Sequence, residues 1–353
     1  MTLSAQEKLR YSRHLKLEGF GEDAQLKLKQ SKVLVVGAGG LGCPCLLYLA
    51  TAGIGLIGIA DGDIVSVSNL QRQVLYDTSD IGLQKTEAAK MHLQNRNPLV
   101  EIITHPRITT QNVVECITGY DLIIDGSDNF ETRYLLNDAC VFSNKPYIYG
   151  ALFKFEGQVS TFNYNGGPTY RCLYPIPPNA DDVPACDEAG VLGVLPGIIG
   201  TMQATEALKV ITGIGEPLSG KMLMINLLLN SYDTFGIKLN PENKNLPAIS
   251  LLNDKSERAH SSVNYLTLQT WIETEDIVLI DVREENEFEA FNIGGINVPF
   301  SEIEELLTSF DKDKKTIIIC QTGVRSLNVL SRLKIKYPES IIYHLEQGLQ
   351  ATF

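Results

Sequence analysis

The feature that most constrains this chain is the stretch 32–53. An apolar run, KVLVV, leads directly into GAGGLG at 37–42 and then into CPCLLYLATAG, whose apolar residues recur at helical spacing. That order reads as strand, glycine turn, helix. Pro44 near the helix start costs nothing there, because its missing N–H would have had no intrahelical partner. Gly37, Gly39 and Gly42 fit G-x-G-x-x-G in this setting, where backbone N–H groups and the helix dipole can face a phosphate. The apolar run LIGIA at 56–60 ends in Asp61-Gly62-Asp63, and DLIID at 121–125 runs into Gly126-Ser127-Asp128-Asn129. Strands that alternate with helices imply a parallel sheet. The runs at 147–164 and 221–239 read instead as antiparallel strands around a helix at 196–212, so the expected fold class is α/β with a mixed sheet.

At 353 residues the chain exceeds the usual size of one domain. Between 240 and 262 the regular apolar spacing weakens and polar, charged and proline residues dominate. A new alternation follows: VLIDV at 278–282, a helix near 301–310, TIIIC at 316–320, a helix from Ser326, and IIYHL at 341–345. The expected organisation is a first domain over 1–240, a linker over 241–261, and a smaller α/β domain over 262–353.

A formal charge of −12 argues against whole-surface attraction to nucleic acid or an anionic membrane, and points to small molecules or proteins as partners. No leader-like start and no apolar run of membrane-spanning length is present, so the expected location is cytoplasmic. The seven cysteines are scattered with no CxxC pair and the five histidines are dispersed, which gives neither a disulfide framework nor a metal cluster.

An acid about twenty positions beyond the glycine turn, Asp61 or Asp63, is suited to hold a ribose, and a nicotinamide-dependent oxidoreductase would show the same feature. The continuation separates the two readings. DGDIVSVSNLQRQ at 61–73, then Lys85, then Asp128 supply two cations and a late acid. Hydride transfer needs no triphosphate clamp, whereas attack of a carboxylate on the α-phosphate of ATP builds negative charge that Arg, Lys and a magnesium-binding carboxylate stabilise. GAGGLG, DGDIVSVSNLQRQ, Lys85 and GSDN together resemble the motifs of the MoeB/ThiF family, over roughly residues 1–240. The resemblance implies a Rossmann-like mixed-sheet adenylating domain that uses ATP and Mg²⁺. It makes Asp61 the ribose acid, Asn69, Arg72 and Lys85 phosphate contacts, and Asp128 the magnesium-organising acid. Arg13, within RYSRH, is similar to an arginine that reaches the partner subunit's ATP site, which requires a homodimer. The implied substrate is the C-terminal Gly-Gly carboxylate of a small ubiquitin-fold sulfur carrier, and molybdopterin, thiamine and tRNA-thiolation pathways all remain open. Adenylation makes chemical sense because a carboxylate is a poor electrophile until its oxygen carries a good leaving group.

In the second domain, Cys320-Gln321-Thr322-Gly323-Val324-Arg325-Ser326 lies between an apolar strand and a helix, so that successive N–H groups can curl around the sulfur. Arg325 adds positive charge that favours a thiolate or persulfide. Phosphatases use a similar cysteine and arginine cradle, and a buried strand-end cysteine is the plainest alternative. The six residues after Cys320, with Asp281-Val282-Arg283-Glu284 upstream, resemble a single-domain rhodanese. That resemblance implies a sulfurtransferase loaded by a persulfide donor. Two departures accompany it: Asn292 stands where the rhodanese pattern usually has histidine, and the sequence ends at Phe353 with little room for a terminal helix.

The MoeB resemblance further implies a cysteine at position 186 able to form a thioester or disulfide with the carrier, although a loop cysteine without a nearby histidine is equally well a spectator. It also implies a structural zinc held by two CxxC pairs. Here Thr169-Tyr170-Arg171-Cys172 lacks the first cysteine and residues 241–245 contain none, so no structural zinc is expected.

Overall fold

The computed structural model describes residues 2–178, 190–244, 261–303, 306, 310–337 and 339–352. The chain divides into two compact units, Met1–Asn253 and Asp254–Phe353, and the division falls within residues 241–261.

The first unit opens with three helices, α1 (Ala5–Arg10), α2 (Ser12–Leu15) and α3 (Gly21–Gln30), followed by β1 (Lys32–Val36), α4 (Gly42–Ala52) and β2 (Leu56–Ala60). Next come α5 (Lys85–Arg96), β3 (Glu101–His105), α6 (Val113–Thr118), β4 (Leu122–Asp125), α7 (Phe130–Phe142), β5 (Tyr147–Phe153) and β6 (Glu156–Phe162). A short α8 (Tyr170–Leu173), the long α9 (Val194–Thr212), β7 (Lys221–Asn226) and β8 (Ser231–Gly236) complete it. The eight strands form one sheet in the order β3-β2-β1-β4-β5-β6-β7-β8. Pairing is parallel from β3 through β5 and antiparallel from β5 through β8. The expected mixed sheet is present, with β5 as the strand where the two senses meet.

Both faces of the parallel half are covered, which is why β1 and β4 read as unbroken apolar runs rather than alternating ones. One face packs Val33, Val35 and Ile57 against Leu46 and Leu49 of α4 and Leu93 of α5. The other packs Leu34, Val36 and Ile123 against Ile117 of α6 and Leu136 of α7. After β1 the chain winds outward to β2 and β3, then returns to place β4 on the other side of β1. The carboxyl ends of β1 and β4 therefore diverge at a topological switch point, the place where open α/β sheets make a ligand crevice.

The second unit contains β9 (Ser262–Val263), α10 (Tyr265–Thr274), β10 (Ile277–Asp281), α11 (Glu285–Ala290), β11 (Ile296–Asn297), β12 (Lys315–Ile319), α12 (Val324–Lys336) and β13 (Ile342–Leu345). Its sheet runs β11-β10-β12-β13-β9, entirely parallel. Near 301–310, where a helix is expected, a 3₁₀ turn spans Phe300–Glu302 and Ile303 and Leu306 are helical, while residues 304–305 and 307–309 lie outside the described residues. Helix α12 begins at Val324, two residues before the expected start.

The glycine turn after β1 is set by crowding. Gly37 has φ +95°, and a Cβ on Gly42 would lie 1.9 Å from the Gly37 carbonyl oxygen. Gly42→Ala should therefore lower the melting temperature by roughly 5–10 °C, a loss on the order of 2–3 kcal/mol. Gly197→Ala is the control, because a Cβ there meets nothing within 4 Å and alanine favours the interior of α9. Thermal unfolding of both variants checks this, and equal melting temperatures would remove the crowding argument.

Candidate active sites

The switch point opens into a cavity of about 680 Å³. Of the residues expected to bind nucleotide, Gly37, Gly39, Asp61, Asp63, Asn69, Arg72, Lys85 and Asp128 line it. Gly42 does not line it and instead packs behind the turn. Arg13 lies exposed on α2, away from this cavity, and its neighbour His14 lines a separate hollow with Tyr48 and Leu208. Cys186 lies outside the described residues.

Each lining side chain is placed by a local bond. Asp61 directly follows β2 and turns its carboxylate back on the loops, accepting from Ala38 N at 2.8 Å and from Asp63 N at 2.8 Å. Tyr76 hydroxyl donates to the Ala38 carbonyl at 2.7 Å, so the glycine turn is held from two sides. Lys85 is the first residue of α5 and only 5% exposed, with its ammonium 3.0 Å from Asp63 Oδ2. Arg72 donates to the Ser68 carbonyl at 3.1 Å. Asp128 is exposed beside Asn129, which caps α7 by accepting from Thr132 N at 2.8 Å.

Arg107 is the cation that sequence reasoning missed. It sits in the loop after β3 and its Nη2 lies 2.6 Å from Asp63 Oδ1. A Cβ on Gly62 would come within 2.9 Å of the Arg107 side chain, so the glycine between the two acids is what lets the arginine lie there. The DGD signal is visible in sequence, but its distant partner is not. Burial works against the Asp63 carboxylate, yet Lys85 and Arg107 outweigh it and hold its pKa below the ordinary value.

Beneath Asp128, the fully buried Asp125 accepts from Ser127 N and Oγ and from Tyr147 hydroxyl. Burial pushes this carboxyl up, against the pull of Arg133 and of the Ser127 and Tyr147 bonds. Arg133, 6% exposed, donates to the Ser127 carbonyl at 3.4 Å and stacks its guanidinium on Phe130 and Tyr149. These groups fix the loop that carries Asp128, and none belongs to a spacing rule.

In the second unit Cys320 is fully buried at the end of β12. Its sulfur accepts from Gly323 N at 3.2 Å and Ser326 N at 3.3 Å, and lies 3.4 Å from Ser326 Oγ. Gly323 has φ +86°, and a Cβ there would meet the Glu346 carbonyl at 2.4 Å, so the curl of the loop requires glycine. Arg325 turns its guanidinium to Glu287, with both nitrogens 2.7 Å from the two carboxylate oxygens. Asp281 and Arg283 form a buried pair, and Arg283 also donates to Gln321 Oε1 at 3.3 Å, which ties the DVRE segment to the loop. Asn292 caps its own turn, accepting from Gly294 N at 3.2 Å.

Residues 11–248 match the ThiF family, two thirds of the chain. The chain belongs to the ThiF family. Residues 266–352 match the rhodanese-like domain. The chain is 41% identical to the probable adenylyltransferase/sulfurtransferase MoeZ of Mycobacterium tuberculosis, over 99% of this chain and 93% of that one. It is 47% identical to a sulfur carrier protein adenylyltransferase of Thermus thermophilus, over 68% of this chain and 91% of that one. Among solved structures it resembles E. coli MccB with ATP, at a TM-score of 0.58 and 26% identity, over 66% of this chain and 72% of that one. This ThiF-family chain is an enzyme with adenylyltransferase and sulfurtransferase chemistries.

Because Arg107 and Lys85 share one carboxylate at the cavity wall, a bound triphosphate would compete with Asp63 for both cations. Arg107→Ala should weaken ATP binding by about tenfold, the worth of one charge-assisted contact. Titration calorimetry with ATP and magnesium checks it, and unchanged affinity would leave Arg107 only the task of restraining Asp63.

Proposed function

We propose that this enzyme adenylates the C-terminal Gly-Gly carboxylate of a ubiquitin-fold sulfur carrier at the first site and converts it to a thiocarboxylate with sulfur carried on Cys320. The observation that carries the reading is the convergence of the glycine turn, Asn69, Arg72, Lys85 and Asp128 on one cavity at the sheet's switch point. Asp61 binds the ribose while bracing the glycine turn. Asn69, Arg72 and Lys85 stabilise the charge that grows on the phosphates as the carrier carboxylate attacks the α-phosphorus and pyrophosphate leaves. Asp128 is an exposed oxygen donor on the same wall, the kind of ligand Mg²⁺ prefers, and would hold that ion there. Bound in this place, magnesium would neutralise triphosphate charge.

At the second site the N–H groups of Gly323 and Ser326 stabilise an anionic sulfur on Cys320, which a persulfide donor loads. Arg13 is assigned to a partner subunit's nucleotide site in a homodimer, and Cys186 to a thioester or disulfide with the carrier. The six described cysteines free of disulfides suit a reducing, cytoplasmic compartment. Among the described residues no helix is long and apolar enough to cross a membrane.

The deciding experiment measures ATP–pyrophosphate exchange with a Gly-Gly carrier alongside thiocarboxylate formation. Lys85→Ala and Asp128→Ala should each lower exchange about 10²–10³-fold, the usual cost of one preorganised electrostatic contact. Cys320→Ala should preserve exchange and abolish thiocarboxylate. Loss of exchange in a folded Cys320→Ala protein would defeat the two-site assignment, and surviving thiocarboxylate would defeat the role of the sulfur.

We also infer that the first unit holds no structural zinc. Cys172 Sγ accepts from Thr169 N and Asn240 N at 3.4 Å, and Asn243 Nδ2 lies 3.8 Å away. The other recorded partners are the Thr169 hydroxyl at 3.5 Å and the Asn240 carbonyl at 3.7 Å, so among the described residues no second thiolate or imidazole stands beside this sulfur, and the set does not fit the family's zinc. Metal analysis of the purified chain should find far less than one zinc per chain, and stoichiometric zinc would overturn the inference.

A further inference from the structure

The Cys320 loop carries a charge arrangement that the sulfur chemistry does not require. Sulfur is stabilised by backbone N–H groups, from Gly323 at 3.2 Å and Ser326 at 3.3 Å. Both arginines beside the loop are committed to carboxylates: Arg283 to Asp281 at 2.7 Å inside the core, and Arg325 to Glu287 through two bonds of 2.7 Å. Glu287 is itself fixed, because its Oε2 accepts from Glu284 N at 3.1 Å in the capping box of α11. The acid is thus held by its own helix and grips the guanidinium in a fork, the geometry in which arginine pairs most specifically. The Arg325 charge in turn holds the Glu287 carboxyl below its ordinary value.

We propose that Glu287 selects the sulfur donor: by clamping Arg325 it keeps the mouth of the Cys320 loop electrically balanced, so that the loop takes sulfur from a persulfide borne on a protein and discriminates against small dianionic donors. This rests on the reading of Cys320 as the sulfur carrier. A dianion such as thiosulfate gains from a free guanidinium at the mouth and is repelled by a carboxylate there, and a matched pair offers it no net attraction. A protein-borne persulfide brings a single charge and its own docking surface, so it depends less on the field at the mouth. Glu287 acts through Arg325 and is a positioning residue, outside the reacting atoms.

Thiosulfate turnover reports the difference. The Cys320 thiolate attacks the outer sulfur of thiosulfate, an S–S bond forms to the cysteine, the bond between the two thiosulfate sulfurs breaks, and sulfite leaves with the electron pair. Cyanide then attacks the terminal sulfur of the persulfide, forming thiocyanate and returning the thiolate.

The test compares the full chain with its Glu287→Gln variant in two assays. One measures thiocyanate formation from thiosulfate and cyanide. The other measures, by mass spectrometry, the gain of one sulfur on Cys320 from a cysteine desulfurase supplied with cysteine. Glu287→Gln keeps an oxygen acceptor for Glu284 N but removes the negative charge that forks onto Arg325. It should raise kcat/KM for thiosulfate about tenfold, mainly through a lower KM, and leave desulfurase-dependent loading within about twofold. The added substitution Arg325→Gln should cancel that gain. In the unsubstituted chain KM for thiosulfate should change little with ionic strength, a readout independent of whether any variant folds.

A folded Glu287→Gln protein that loads from the desulfurase but shows no thiosulfate gain would overturn donor selection alone. So would a steep salt dependence of KM in the unsubstituted chain, since it would reveal an unbalanced cation at the mouth. If neither protein loads sulfur from either donor, the sulfur-carrier reading of Cys320 falls, and this proposal with it.

Discussion

The first site depends on a backbone contact that leaves no room for side chains. Gly126 N donates to the Val36 carbonyl at 2.7 Å, and a Cβ on Gly37 would lie 2.5 Å from the Gly126 carbonyl oxygen. A Cβ on Gly126 would in turn lie 2.8 Å from the Gly37 carbonyl. The turn after β1 and the loop after β4 touch main chain to main chain, and the start of α4 closes on the same carbonyl. Adjacent parallel strands bring these loops together, but only glycine on both sides lets them meet. The consequence is chemical. The glycine turn and the acid-bearing segment 126–129 become two walls of one cavity, with Asp125 and Arg133 packed beneath to hold the second wall in place.

Charge is handled similarly in both units: cations stand at each site, and a carboxylate restrains Lys85, Arg107 and Arg325, while Arg72 bonds the Ser68 carbonyl. Asp63 joins Lys85 and Arg107 through separate oxygens, and Glu287 takes Arg325 in a fork. A long cationic side chain in water samples many rotamers, and fixing it costs on the order of 2 kcal/mol. Part of that ordering is met here before any substrate arrives. At Asp63, which is exposed, a polyanion can take over the cations. At Glu287 the acid is anchored in a helix cap, which makes release harder and turns the same device toward discrimination.

The sequence was most legible where one residue type has no substitute. Gly37, Gly42 and Gly323 stand where backbones meet or turn left-handed, and the unbroken apolar runs of β1, β4, β10 and β12 mark parallel strands buried on both faces. Edge strands left weaker marks: β9 and β11 are two residues long, and β3, with Glu101 and His105 at its ends, has no clean alternation. Arg107, Arg133 and Glu287 were illegible as site residues because their meaning comes from partners 44, 6 and 38 positions away, across loops of no fixed length. Arg325 was read from its nearness to Cys320 along the chain. The structure adds that much of its charge is spent on Glu287.

The same contrast bears on the segment around Cys172, for which we propose no structural zinc. A zinc site can supply about 10 kcal/mol or more to join two chain segments, whereas each hydrogen bond to a sulfur anion supplies only about 1.5–3 kcal/mol. The bonds from Thr169, Asn240 and Asn243 therefore cannot replace a metal by themselves, although they outweigh the burial that opposes ionisation and draw the Cys172 thiol below its ordinary value. The remainder comes from packing. Tyr170 is fully buried among Tyr134, Tyr149, Phe162 and Tyr174. Arg171 lies across the Tyr134 ring and forks onto Asp138, and the Tyr134 hydroxyl donates to the carbonyls of Tyr174 and Ile176. An aromatic cluster of this size buries several hundred Å², a gain from which the buried Tyr170 hydroxyl, without a hydrogen-bond partner among the described residues, subtracts. The turn is thus held from the core side, and the Cys172 sulfur has only to orient the segment at 240–243, which leads into a 3₁₀ turn over Pro241–Lys244.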